Sequence, residues 1–282
     1  MITYIFPGQG SQVKGMGRDL FAKFSAIVEK TDTILGYSIT ALCLEDANKQ
    51  LNQTQFTQPA LYVINALSYF NKIQTNQTKP DYLAGHSLGE YNALLAANVF
   101  DFETGLRLVK KRSELMSKAV NGSMAAIVGI KPGIIKNIFE KNNLSNVAIA
   151  NYNSHTQTVI SGQKNEIETA LSLCEQAGAM MVVPLNVSGA FHSPLMKKAQ
   201  DEFASFISQF QFALPSIPVI SNVTAKPYHA NEIQKHLVQQ ISNPVRWTET
   251  IDYLLLEGVT EFEEIGPGAI LAGLIRRIKV GQ

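Results

Sequence analysis

Asp81-Tyr82-Leu83-Ala84-Gly85-His86-Ser87-Leu88-Gly89-Glu90-Tyr91-Asn92-Ala93-Leu94-Leu95-Ala96-Ala97 is the stretch from which the fold of this chain can be read. The first residues, to 85, read as a short buried strand. The last, from 88 to about 98, read as a helix rich in alanine and leucine. Between them stands Gly-His-Ser-Leu-Gly, a G-x-S-x-G placed between strand and helix, which is the context of a nucleophile elbow. Such a turn is sharp. Glycines on either side let strand and helix approach, and the serine hydroxyl is lifted to a helix N-terminus, where free N–H groups can stabilise an oxyanion. The local pattern points to a chain that forms an acyl-serine.

Working outward, residues 2–6 read as a strand, broken by Pro7-Gly8-Gln9-Gly10-Ser11-Gln12. Helical patterns cover 17–30, 57–74 and about 102–119, with Asp101 as N-cap of the last. The rhythm then changes. Short β-rich runs at 124–128, 147–150, 158–161 and 180–185 are separated by helix candidates at 134–141 and 166–177. This β-α-β-β-α-β order is the split βαβ, or ferredoxin-like, arrangement, and it predicts a compact subdomain of about 122–186 inserted into a larger one made of 1–121 and 187–282. Beyond the insert come a helix near 195–210, a strand at 219–221, helices near 231–241 and 247–257, a strand at 261–265 and a last helix from about 268. Strands alternating with helices predict an α/β fold with a largely parallel sheet.

Composition narrows the function classes. A formal net charge of +1 and the lack of any basic block give no electrostatic footprint for nucleic acid or an anionic membrane. No apolar run approaches the ~20 residues that span a bilayer, and the N-terminus does not read as a signal peptide. Cys43 and Cys174 read as free thiols of a reducing compartment, the cytoplasm. No metal-ligand spacing is present. The loop at 6–12 fails G-x-G-x-x-G because Val13 stands where the third glycine belongs, so it reads either as a plain turn or as a source of backbone N–H groups for an oxyanion hole.

A serine needs a base. Of five histidines, His86 points away from Ser87 across a sharp turn, His229 and His236 lie in polar segments that read as exposed, and His155 lies in a polar loop. His192, in Ser188-Gly189-Ala190-Phe191-His192-Ser193-Pro194 after the apolar run 182–187, is the strongest candidate, although a structural histidine capping a helix near Pro194 fits equally well. No acid stands in the usual place, so a Ser–His dyad with a backbone carbonyl orienting the imidazole fits better than a triad. Arg112 is the sharpest physical signal. At 3.6 residues per turn it falls on the apolar face with Leu108, Val109, Leu115 and Met116. A guanidinium there must meet an anion: a structural Asp or Glu, or a substrate carboxylate gripped as a fork.

Taken together, Phe6-Pro7-Gly8-Gln9-Gly10-Ser11-Gln12, Thr57-Gln58-Pro59-Ala60, the stretch 85–90, Arg112, the stretch 189–193, Asn243-Pro244-Val245-Arg246-Trp247 and Glu264-Ile265-Gly266-Pro267-Gly268 resemble the malonyl-CoA:acyl carrier protein transacylases and related polyketide acyltransferases, over about residues 2–279. The resemblance implies an α/β-hydrolase-like large subdomain with a ferredoxin-like small one. It implies Ser87 as acylated nucleophile, His192 as base, Arg112 on the malonyl carboxylate, the N–H groups of Gln9 and Leu88 as oxyanion hole, and a carbonyl near Gln240 orienting His192. Phe191, before the histidine, would crowd an α-methyl branch and favour malonyl over methylmalonyl. It further implies malonyl-CoA as substrate, no bound cofactor, and a phosphopantetheinylated acyl carrier protein as partner. For the basic surface that an acidic carrier calls for, Lys197, Lys198, Arg276 and Arg277 are candidates, although a solvated face explains them equally well. Asn65-Ala66-Leu67-Ser68-Tyr69 and Asp101-Phe102-Glu103-Thr104-Gly105-Leu106 resemble discrete enzymes acting in trans on modular polyketide synthases. A housekeeping fatty-acid transacylase, a hydrolase that frees acyl groups from carrier proteins, a generic serine esterase and a non-enzymatic scaffold are the alternatives.

Overall fold

The computed structural model describes residues 1–75, 78–119, 122–187 and 189–281. In chain order the elements are β1 (Ile2–Phe6), α1 (Arg18–Phe21), α2 (Ser25–Leu35), α3 (Ile39–Leu44), α4 (Thr54–Thr75), β2 (Tyr82–Gly85), α5 (Gly89–Ala96), α6 (Phe102–Ser117), β3 (Gly122–Val128), α7 (Pro132–Lys141), β4 (Val147–Ser154), β5 (Gln157–Gln163), α8 (Lys164–Gln176), β6 (Met181–Pro184), α9 (Lys197–Ile207), β7 (Val219–Ile220), α10 (Ile233–Gln240), α11 (Trp247–Leu256), β8 (Glu261–Glu264) and α12 (Ile270–Val280).

The first sheet is wholly parallel, in the order β7-β2-β1-β8. Strands β1, β2 and β7 are largely buried on both faces, β8 being a half-exposed edge, and the period of two decides which core each residue joins. Tyr4, Phe6, Leu83 and Val219 enter the large core shared with α4, α5, α6 and α9, whereas Ile5, Ala84 and Ile220 enter the smaller one under α11 and α12. The second sheet is antiparallel, in the order β4-β5-β3-β6, with α7 and α8 over one face and a core of Ala125, Ile127, Ile149 and Ile160. This is the split βαβ arrangement expected from the order of elements.

Two differences from the sequence reading have simple causes. The run 182–187 forms a strand only to Pro184, because β6 is an edge strand, largely exposed, with β3 on one side only. Helix α3, capped by the Ser38 side chain on the Ala41 N–H, is too short to show a helical period. Val120, Asn121 and Ser188, which fall at the expected crossings between the two subdomains, lie outside the described residues. Beside them the two crossings touch: a Cβ on Gly122 would lie 2.3 Å from Ala190 N, and one on Gly189 2.7 Å from Ala119 O. The antiparallel sheet is also tied down by β4, where Val245 N donates to Ala150 O (2.8 Å) and Tyr152 N donates to Val245 O (2.9 Å). Among the described residues no helix is long and apolar enough to cross a membrane, and no cluster of side chains could hold a metal ion.

Candidate active site

The C-terminal ends of β1, β2 and β7 converge on Ser87, as expected for a site in an open parallel sheet. Ser87 sits with φ at +52°, in the left-handed region that a non-glycine residue enters only at a cost. Its glycine neighbours are sterically required. A Cβ on Gly85 would lie 2.0 Å from the Gly89 carbonyl carbon, and one on Gly89 would lie 2.0 Å from Phe6 O. Helix α5 is buried all round, so the elbow is held on every side.

The amides around the elbow are nearly all spoken for. Ser87 N donates to Asn222 Oδ1 (2.7 Å), and Gly89, Glu90 and Tyr91 N–H turn back to His86, Ser87 and Leu88 carbonyls. In the loop after β1, Gly10 N donates to Gln12 Oε1 and Ser11 N to Gly8 O. Leu88 N and Gln9 N have no protein acceptor among the described residues. Both residues line the cavity beside Ser87, and Gly8 is what lets the two loops meet: a Cβ there would lie 2.4 Å from His86 O and 3.7 Å from Leu88 N.

His192 is brought to the serine by a loop that also enters left-handed space, with φ at +57°. Ser193 Oγ pins this loop by donating to Ala190 O at 2.6 Å. His192 Nε2 lies 2.7 Å from Ser87 Oγ, and its Nδ1 lies 2.8 Å from Gln240 O and 3.2 Å from Asn243 O. Since carbonyls only accept, Nδ1 carries the proton and Nε2 is free to accept from the hydroxyl. Gln240 ends α10, so its carbonyl is one of the groups a helix C-terminus leaves unpaired, at the negative end of the dipole. Burial, then the nearby Arg112 charge, pulls the imidazole down to about 3, which keeps it in the basic form at neutral pH.

Arg112 is 1% exposed. Its Nη1 donates to Gln58 Oε1 (2.5 Å), and its Nη2 donates to Gln240 Oε1 (2.8 Å) and Ser87 Oγ (3.0 Å). Tyr91 lies beneath it, 5.6 Å from ring centroid to Cζ. Among the described residues no carboxylate forms an ion pair with it. The guanidinium is therefore collared by neutral amide oxygens and faces the nucleophile with no carboxylate in direct contact; Glu90, whose charge it feels, is joined to it only through the Gln240 amide.

Phe191, 5% exposed, closes the cavity with Met116, Met124, Leu185 and Val187. The cavity holds about 100 Å³, roughly three water volumes, which suits a short acyl group. The structure thus brings Ser87, His192, Arg112, Gln9, Leu88, Phe191 and Gln240 together. It does not gather the four basic residues: Lys197 and Lys198 open α9 beside the histidine loop, with Lys197 paired to Asp201, while Arg276 and Arg277 ride α12 across the parallel sheet. His236 is buried against Tyr228 instead of exposed. His86 is half-buried against Trp247 with Nε2 2.9 Å from Asn153 Oδ1, linking the elbow to β4. Sequence reasoning missed Gln58, Asn222 and Glu90, and the side-chain role of Gln240. Gln58 and Glu90 are polar residues in otherwise apolar helices, a weak signal; Asn222, in the turn after β7, and Gln240, among the polar residues of α10, carried none.

The acyl transferase domain model matches residues 3–278. The chain is 57% identical to the polyketide biosynthesis malonyl CoA-acyl carrier protein transacylase PksC of Bacillus subtilis, over 99% of this chain and 97% of that protein. Its structure superposes on that of a malonyl CoA-acyl carrier protein transacylase from Burkholderia pseudomallei with a TM-score of 0.97 at 49% identity, covering 100% of this chain and 99% of the other. It also superposes on a malonyl-transacylase in complex with its holo type II polyketide synthase acyl-carrier protein, with a TM-score of 0.94 at 39% identity, covering 98% and 92%. The chain, with an elbow serine, a carbonyl-oriented histidine and a buried arginine on the fold of these proteins, belongs to the acyl transferase domain family.

Proposed function

We propose that the chain moves a malonyl group from malonyl-CoA to the phosphopantetheine thiol of an acyl carrier protein through a malonyl-serine intermediate. The observation that carries this reading is the buried Arg112 guanidinium 3.0 Å from Ser87 Oγ with no carboxylate partner among the described residues. A short acyl donor with a free carboxylate would match that charge, and two parallel N–H···O bonds would fix its thioester over the hydroxyl.

In this reading His192 Nε2 takes the Ser87 proton as Oγ attacks the thioester carbon. The tetrahedral oxyanion falls to the N–H groups of Gln9 and Leu88, each worth about 3 kcal/mol by analogy with other oxyanion donors. The transient imidazolium is steadied by the Gln240 carbonyl and the C-terminus of α10, in the place an aspartate holds elsewhere. The imidazolium then protonates the departing CoA sulfur. The carrier's thiol returns along the same path: it gives its proton to His192, its sulfur attacks the malonyl ester, and Ser87 leaves with that proton. The pantetheine belongs to the substrates, so the scheme uses no bound cofactor.

The 57% identity to a polyketide biosynthesis transacylase supports a role in trans for a polyketide synthase. Phe191 at the cavity wall supports malonyl over methylmalonyl. We read the small subdomain as about 122–186 and the large one as 1–121 and 187–282. The two buried, free cysteines fit a cytoplasmic setting. Steady-state kinetics with malonyl-CoA and a phosphopantetheinylated carrier tests the scheme. Parallel double-reciprocal lines and malonyl-carrier as product are expected; release of free malonate in its place would make the protein a hydrolase.

A further inference from the structure

Glu90 is a carboxylate with 0% exposure, one helical turn after the nucleophile, that touches none of the reacting atoms. Its Oε1 accepts from Tyr228 OH (2.6 Å) and Asn222 N (2.9 Å), and its Oε2 accepts from Gln240 Nε2. Every protein group bonded to it is a donor, and no cation touches it. Gln240 is the relay. Its Nε2 also donates to Ser87 O at 2.9 Å, while its Oε1 accepts from Arg112 Nη2 at 2.8 Å. A glutamine amide has a donating end and an accepting end. A carboxylate at one end dictates that the oxygen faces the guanidinium.

We propose that Glu90 is a positioning residue for the acyl-carboxylate site: ionised, it fixes the amide of Gln240 and thereby holds the Arg112 fork beside Ser87. The inference rests on the reading of Arg112 given under the proposed function. Protonation undoes the arrangement on hydrogen-bond grounds, since Asn222 N and Gln240 Nε2 cannot accept, and only the Tyr228 hydroxyl can reverse.

The groups facing Glu90 are Tyr91 beside it on α5, Arg112 from α6, and Tyr228 from the loop after β7, with His236 of α10 packed behind Tyr228. Burial pushes the Glu90 carboxyl up to about 7, against the hydrogen bonds and Arg112, which pull it down. Burial pushes both tyrosines higher still, so neither ionises in this range. His192, held at about 3, stays neutral throughout. The competent form is the deprotonated one, so malonyl transfer is lost as pH falls through about 7. Acetyl-CoA presents no carboxylate to the fork, so acetyl transfer falls less than malonyl transfer over the same range.

The test uses the full chain, malonyl-CoA and acetyl-CoA as donors, and a phosphopantetheinylated carrier as acceptor. With one proton and an inert protonated form, malonyl kcat/KM of the wild type falls about eightfold from pH 7.5 to 6. Glu90→Gln abolishes the limb and lowers the malonyl-to-acetyl ratio at least about tenfold at pH 8, chiefly through KM for malonyl-CoA. Tyr228→Phe removes one donor to the carboxylate and moves the limb to higher pH. An unchanged limb or donor ratio in Glu90→Gln overturns the proposal, and so does an unshifted limb in Tyr228→Phe, which carries the test alone if the first variant does not fold. A wild type that transfers no malonyl at all overturns the reading of Arg112 itself.

Discussion

Replacing Arg112 with alanine separates the grip on the carboxylate from the chemistry at the serine. In the folded enzyme the guanidinium is 1% exposed and donates to Gln58, Gln240 and Ser87. A malonyl carboxylate bound there would meet a dry, bidentate partner. Without it, the carboxylate would enter the same cavity uncompensated, a loss of about 3–5 kcal/mol when one partner of a buried pair is removed. That is roughly a 150- to 5,000-fold fall in malonyl kcat/KM. Acetyl-CoA carries no carboxylate and pays none of this. The 3.0 Å contact of Nη2 with Ser87 Oγ is shared by both donors, so it cancels in their ratio. Initial rates with each donor, on protein whose near-ultraviolet circular dichroism is unchanged, give that ratio directly. It should fall by at least about 150-fold in Arg112→Ala and recover in part in Arg112→Lys, which restores charge without the fork. Equal losses for both donors would refute the argument, because the arginine would then be serving the serine and not the substrate.

Phe191→Ala opens the wall that Phe191 shares with Met116 and Met124. Room for one methyl is worth about 1–3 kcal/mol, so methylmalonyl-CoA should gain about 5- to 150-fold relative to malonyl-CoA in a competition assay; an unchanged ratio would place the selectivity elsewhere. Gly89→Ala sets a Cβ 2.0 Å from Phe6 O, with backbone on both sides of the clash. A loss of about 3 kcal/mol in chemical denaturation, together with loss of acylation, is expected, and a wild-type midpoint would contradict the steric account of the elbow.

The backbone of this site was written locally. Strand, glycine, serine, glycine and helix are adjacent in sequence, and their spacing alone specifies the turn at Ser87. Arg112 betrayed itself by helical period, since nothing else on the apolar face of α6 carries charge. The split βαβ order of the insert followed from alternating short patterns. What stayed hidden depends on contacts between distant segments. Gln58 and Gln240 reach Arg112 from 54 and 128 residues away, and a glutamine in a helix looks like any solvated residue. Glu90 in the first turn of α5 looks like an acid answering the helix dipole. Its burial comes from Tyr228, Asn222 and Gln240, more than 130 residues later in the chain. His236 reads as exposed among polar neighbours because only the fold sets Tyr228 against it.

Intact-protein mass spectrometry after mixing with malonyl-CoA, followed by peptide mapping, examines the covalent step most directly. One malonyl group is expected, carried on Ser87, discharged when a phosphopantetheinylated carrier is added, and missing from Ser87→Ala. Persistence of the adduct in Ser87→Ala, or turnover by the wild type with no acylated form ever accumulating or exchanging, would contradict the covalent step.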